Sequence, residues 1–96
     1  MEIFDYAERV KSASKEQGID DLVSALQELG IDASSEQTGG FTMCAYVQLT
    51  KNRYIYANRY GASVYSEDEY LFDIAQADEA QDPRHIARQI HNYINQ

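Results

Sequence analysis

Two histidines, one cysteine and several adjacent carboxylates are the side chains in this 96-residue chain with types that could do chemistry. His85 and His91 stand six apart in one helical stretch. At about 100° per residue they diverge by about 240° and do not share a metal. Cys44 with one histidine has the types of a nucleophile and a base, yet no third group orients the base and no oxyanion donors are recognisable. Within a strand-like run, Cys44 reads as a small buried hydrophobe, and a lone cysteine closes no internal disulfide. Asp20-Asp21 and Glu67-Asp68-Glu69 have the types for acid–base or metal work, but neighbouring acids at helix starts and polar turns read as solvated faces. Gly39-Gly40 lacks the preceding strand, following helix and lysine of a phosphate loop, and no calcium-loop pattern occurs. The expectation is a non-enzymatic protein without metal or cofactor.

What remains distinctive is aromatic. The stretch RYIYANRYGASVY, from Arg53 to Tyr65, carries Tyr54, Tyr56, Tyr60 and Tyr65 with two arginines and no acid. Hairpin register decides what those rings do. A two-residue Lys51-Asn52 loop sets Leu49 opposite Tyr54 and Val47 opposite Tyr56, which turns both tyrosines to the core and Ile55 outward. A loop of Lys51 to Arg53 sets Leu49 opposite Ile55 and Val47 opposite Ala57, and the tyrosines then form an exposed stripe beside Tyr46. Ile55 favours the second register and Asn52 the first, so both stay open. At least two of the eight tyrosines are expected on an exposed face, because so small a core does not satisfy eight phenolic hydroxyls.

The elements that position these residues follow from periodicity. An amphipathic helix is expected from about Glu2 to Lys15, striped by Ile3, Ala7 and Val10 and ended by Gln17-Gly18. Ile19, Leu22, Val23, Leu26 and Leu29 stripe a second helix, with Asp20 and Asp21 in its first turn and Gly30-Ile31 as a left-handed stop. Residues 32–40, DASSEQTGG, read as a loop. From Phe41 to Thr50 apolar and polar residues alternate with the period of a half-buried strand. Further strands are expected over about Arg53–Tyr60, Ala62–Ser66 and, as a fourth, Tyr70–Ile74. Asp82-Pro83 opens a closing helix striped by Ile86, Ile90, Tyr93 and Ile94. The fold class is α+β, one domain over residues 1–96: two N-terminal helices, an antiparallel meander of three or four strands, and a C-terminal helix, with the helices on one sheet face.

Charge narrows the partner. The net charge of −8 is segregated into −6 over residues 1–40, +3 over 41–66, −7 over 67–82 and +2 over 83–96. Acidic faces repel phosphate and attract basic proteins, so direct binding to nucleic acid is not expected. A contact through Lys51, Arg53 and Arg59 with tyrosines stacking on bases is the weakest of the readings. No run is long and apolar enough for a membrane span and the acidic start is not a secretory signal, so the expected location is the cytoplasm. Two stronger readings remain. One is an inhibitor whose carboxylates occupy a basic groove in place of nucleic-acid phosphates, supplied by Asp20, Asp21, Glu28, Asp32 and Glu36 or by residues 67–82. The other is an immunity-type or other acidic interaction module that binds a basic partner such as a toxin.

The meander FTMCAYVQLT-KN-RYIYANRY with its acidic turn SEDE, in an acidic, tyrosine-rich α+β domain, resembles the small phage-encoded anti-CRISPR proteins. The resemblance is one of overall character across the chain and carries no residue roles. It implies an inhibitor that binds a CRISPR effector or nuclease in the host cytoplasm and blocks DNA binding or cleavage. The expected partner-binding residues are Glu67, Asp68, Glu69, Asp73, Asp78 and Glu79 as an acidic face, with Tyr54, Tyr56, Tyr60 and Tyr65 as anchors. The protein is expected as a monomer or small homo-oligomer.

Overall fold

The computed structural model describes residues 18–37 and 43–96. The helix expected over about Glu2 to Lys15 lies outside them. The described elements are α1 (Ile19–Glu28), β1 (Ala33–Gln37), β2 (Met43–Gln48), β3 (Arg53–Asn58), β4 (Gly61–Ser66), β5 (Glu69–Gln76) and α2 (Pro83–Ile94). The strands form one antiparallel sheet in the order β1-β2-β3-β4-β5. The α+β class holds, but five strands replace the expected three or four. The additional strand is β1, in the segment read as a loop. Only Ala33 of its five residues is buried, so the strand leaves no alternating apolar signal. Backbone pairing with β2, from Ala33 opposite Val47 to Gln37 opposite Met43, is what makes it a strand.

Both helices are terminated as their sequences dictate. Gly30 adopts φ 82°, its N–H donates to the Gln27 carbonyl, and the Ile31 N–H donates to the Leu26 carbonyl. These are the two bonds of a Schellman stop, which turns Ile31 back into the core. At α2 the Asp82 carboxylate accepts from the Arg84 N–H at 2.9 Å, with Pro83 in the first helical turn. Ile19, Leu22, Ala25 and Leu26 of α1 and Ile86, Ala87 and Ile90 of α2 are buried. Leu29, expected in the α1 stripe, is 41% exposed, and Ile94 is 39% exposed; Leu29 caps the end of α1 and Ile94 is the last residue of α2.

The sheet's inner surface is a pair of cross-strand rows. Ala45, Ala57, Ala62 and Ala75 form one; Val47, Ile55, Val64 and Phe72 form the other. Small residues in the first row let helices approach closely, and the branched residues of the second fill the space beside it. Helix α1 packs over β1 and β2, α2 over β3 to β5, and the helices touch each other. Burying Leu22, Leu26, Ile55, Ile86 and Ile90 fully is worth about 1.5 to 3 kcal/mol for each side chain.

Neither expected β2–β3 register is formed. Val47 pairs with Ile55 and Gln48 with Tyr54, so the turn takes in Thr50 as well. The N–H groups of Leu49 and Thr50 both donate to the Arg53 carbonyl, and the Arg53 N–H donates to Thr50 Oγ1 at 3.1 Å. This slip of two residues keeps the parity of the longer-loop alternative, with Ile55 inside and the tyrosines outside. At the β3–β4 turn, Gly61 lies so close to β5 that a Cβ there would stand 2.3 Å from the Ala75 carbonyl oxygen. That approach locks the turn onto the neighbouring strand.

Candidate functional site

The outer surface of the sheet carries two further rows. Tyr46, Tyr56, Ser63 and Asp73 form one, and Gln48, Tyr54, Tyr65 and Tyr70 form the other. Because side chains alternate across a strand, an inner face of Ala, Val and Ile obliges the β2, β3 and β4 residues to the opposite side; in β5, register shifts opposite Ala62/Ser63 and Val64/Tyr65 break the alternation and pair Asp73 and Tyr70 with that same face. Their rings make a continuous patch. Tyr54 and Tyr65 stack at 5.7 Å with 8° between planes. Tyr56 meets both edge-on, at 5.1 Å from Tyr54 and 5.4 Å from Tyr65. Tyr46 joins at 5.5 Å from Tyr54 and 5.7 Å from Tyr56, and Tyr70 extends the patch at 6.0 Å from Tyr65. Cross-strand aromatic pairs of this kind each stabilise a sheet by about 0.2 to 1 kcal/mol.

Carboxylates border the patch, and hydroxyls on the same face hold two of them. The Tyr54 hydroxyl donates to Asp68 Oδ1 at 3.0 Å. The Ser63 hydroxyl donates to Asp73 Oδ1 at 2.6 Å. Glu36 enters the same face opposite Cys44. The phenols respond to this setting. Crowding out of water raises the Tyr54, Tyr56 and Tyr70 pKa values above the usual phenolic value, and the charges of Asp68, Glu36 and Asp73 respectively push in the same direction. Two open depressions flank the Tyr56–Tyr65 pair. One, of about 290 Å³, is lined by Cys44, Tyr54, Tyr56, Tyr65 and Asp68. The other, of about 300 Å³, has Tyr56, Tyr60, Ser63, Tyr65 and Asp73 on its walls.

Of the expected anchors, Tyr54, Tyr56 and Tyr65 come together. Tyr60 stands apart from the ring patch, 44% exposed in the β3–β4 turn. Tyr46 and Tyr70 complete the patch and were not among the expected anchors; the alternation of β2 and the pairing of Tyr65 with Tyr70 are the signals that place them. The expected acidic residues divide. Glu67 and Asp68 form the β4–β5 turn and Glu69 opens β5, Asp73 sits within the tyrosine face, and Asp78 and Glu79 lie beyond the other end of β5. An eight-residue strand separates the two ends by about 26 Å. Asp21 and Glu28 line a different depression, with Asp82 and Arg84, between the helices.

The cations of the same segment are elsewhere. Arg53 shares strand parity with Ile55 on the helix side, Arg59 donates through Nε to the Gln81 carbonyl at 2.6 Å, and Lys51 sits in the β2–β3 turn. Among the described residues, no group of three or more His, Cys, Asp or Glu side chains is placed to hold a metal ion, and no helix is long and apolar enough to cross a membrane. His85 and His91 project from α2, away from Cys44 on the outer face of β2.

No protein-family model, curated protein or solved structure gives a significant match to the chain.

Proposed function

We propose that this protein acts by binding a protein partner rich in positive charge, and that the tyrosine face of the sheet is the contact surface. One observation carries the reading: five rings in continuous contact on a sheet face bordered by Glu36, Asp68 and Asp73, with none of Lys51, Arg53 and Arg59 in its rows. Tyrosines give large, stiff contact area, which is why interfaces concentrate them, and acids around them steer a basic partner and speed its arrival. The same arrangement disfavours nucleic acid, since the aromatic platform lacks the cations that neutralise phosphates. Binding, rather than catalysis, is the proposed activity.

The resemblance to small anti-CRISPR proteins makes a CRISPR effector or nuclease the first partner to test, with the tyrosine face and the Glu67–Glu69 turn occupying its DNA-binding groove. The test is a tagged pull-down from nuclease-treated lysate of cells carrying a CRISPR system. It compares the native chain with E67K/D68K/E69K and with Y54A/Y65A. Retention of an effector or nuclease by the native chain, release by rising salt, loss in both variants and competition by target DNA are the expected results. Equal retention by the native chain and Y54A/Y65A refutes the surface. Recovery of a basic toxin instead assigns the immunity-type function.

A further inference from the structure

The depression bounded by Tyr54, Tyr56, Tyr65 and Asp68 has a composition that selects among cations. Its walls are tyrosine rings and Cys44, and its single carboxylate is hydrogen-bonded and stands on a tied-down turn. The Tyr54 hydroxyl holds Oδ1, and the Glu67-Asp68 turn is held by the Glu67 N–H donating to the Asn52 carbonyl at 3.1 Å. Both turn residues have positive φ, 52° and 69°, as a type I′ turn requires; Asp68 suits this conformation, whereas Glu67 is not one of the glycine, asparagine and aspartate residues that adopt it readily. Among the described residues, Asp68 Oδ2 has no hydrogen-bond partner.

Resting on the reading that this face binds a basic protein, we infer that the Asp68 depression is a seat for an arginine side chain of that partner. The guanidinium lies against the tyrosine rings and its N–H edge meets the Asp68 carboxylate. Arginine satisfies both surfaces together, because its plane stacks on an aromatic face while its edge presents several donors in a rigid fork. Lysine, a compact and strongly hydrated charge, does not cover a ring and carries no such fork. Anions are repelled by Asp68, and a purely apolar group leaves the carboxylate and hydroxyls without new partners. The neighbouring depression repeats the pattern, with Asp73 held by Ser63 beside Tyr56 and Tyr65. The partner segment therefore carries arginines near one another.

The test uses an Arg-Gly-Arg-Gly-Arg peptide and its lysine twin, equal in charge, titrated into the full chain by calorimetry at one ionic strength with tyrosine ring resonances followed by NMR. The arginine peptide should bind about tenfold more tightly than the lysine twin, with the shifts centred on Tyr54, Tyr56 and Tyr65. Asp68→Asn, which keeps an oxygen to accept from Tyr54, should remove most of that preference. Asp82→Asn, the same charge change at the start of α2 in a different depression, keeps an acceptor for the helix and should leave the preference intact. Equal binding of the two peptides, or equal losses in D68N and D82N, overturns the arginine seat. In that event, a natural partner that still requires Tyr54 and Tyr65 shows that the binding face stands without the seat; a partner indifferent to both removes the face as well.

Discussion

The hydroxyl of Tyr54 donates to Asp68 Oδ1 at 3.0 Å, joining the middle strand of the sheet to the turn between the last two. The bond links the aromatic and acidic parts of the molecule. It anchors a turn whose two central residues are left-handed, and it settles where a carboxylate stands relative to five packed rings.

That turn holds strain that a single substitution relieves. Glu67→Asn places a residue suited to positive φ at the first turn position while leaving Asp68 and its tyrosine bond in place. Urea unfolding should show a gain of about 0.5 to 1 kcal/mol. A loss of stability would mean that Glu67 makes a contribution to the fold that outweighs its backbone conformation.

Ionisation of the tyrosines reports the face directly. Tyr54, Tyr56 and Tyr70 are raised above the phenolic value of about 10. Each thus holds its proton more tightly in the folded chain, and the stability this contributes is complete below the unfolded value and declines as pH rises through the folded one. Phenolate absorbance should show a late-titrating fraction, and Asp68→Asn should move one member of it toward the ordinary value. Titration of all tyrosines as one group near pH 10 would contradict the packing of the patch.

The two faces of the sheet should respond unequally to truncation. Ile55 is fully buried, so Ile55→Ala should cost about 2 to 5 kcal/mol. Tyr65→Phe, which removes only a hydroxyl on the outer face, should stay within about 0.5 kcal/mol. Comparable losses at the two positions would show that the tyrosine face is itself covered.

At the start of α2, the Arg84 N–H bond and then the nearby guanidinium hold Asp82 below its ordinary pKa, against partial desolvation. A depressed carboxylate contributes stability above its unfolded value, and this is lost as pH falls through the folded one. Asp82→Asn keeps an acceptor for the helix but not the titration. The Tm of the native chain should therefore exceed that of D82N near neutrality and converge on it in acid; a constant gap would assign the effect to geometry alone.

Much of the architecture was legible in the residues. The stripe Ile19, Leu22 and Leu26, the stop at Gly30-Ile31 and the cap at Asp82-Pro83 are local signals, each read from a few neighbours, and each stands in the structure. Strand β1 was not legible, because an edge strand with one buried residue is defined by its partner and not by its own pattern. Likewise Tyr54, Tyr56 and Tyr65 stood out by type alone, but which side of the sheet they took was not legible.

The sequence by itself determined the ingredients: an acidic chain, helices with one apolar stripe, alternating strands and a tyrosine-rich segment, all consequences of short-range spacing. Only the tertiary structure decided the face. A slip of one residue between β2 and β3 would exchange Ile55 for Tyr54 and Tyr56, and what selects the observed parity is long-range. Alanines 45, 57, 62 and 75 must lie together for the helices to approach, and bulky phenols do not fit beneath them.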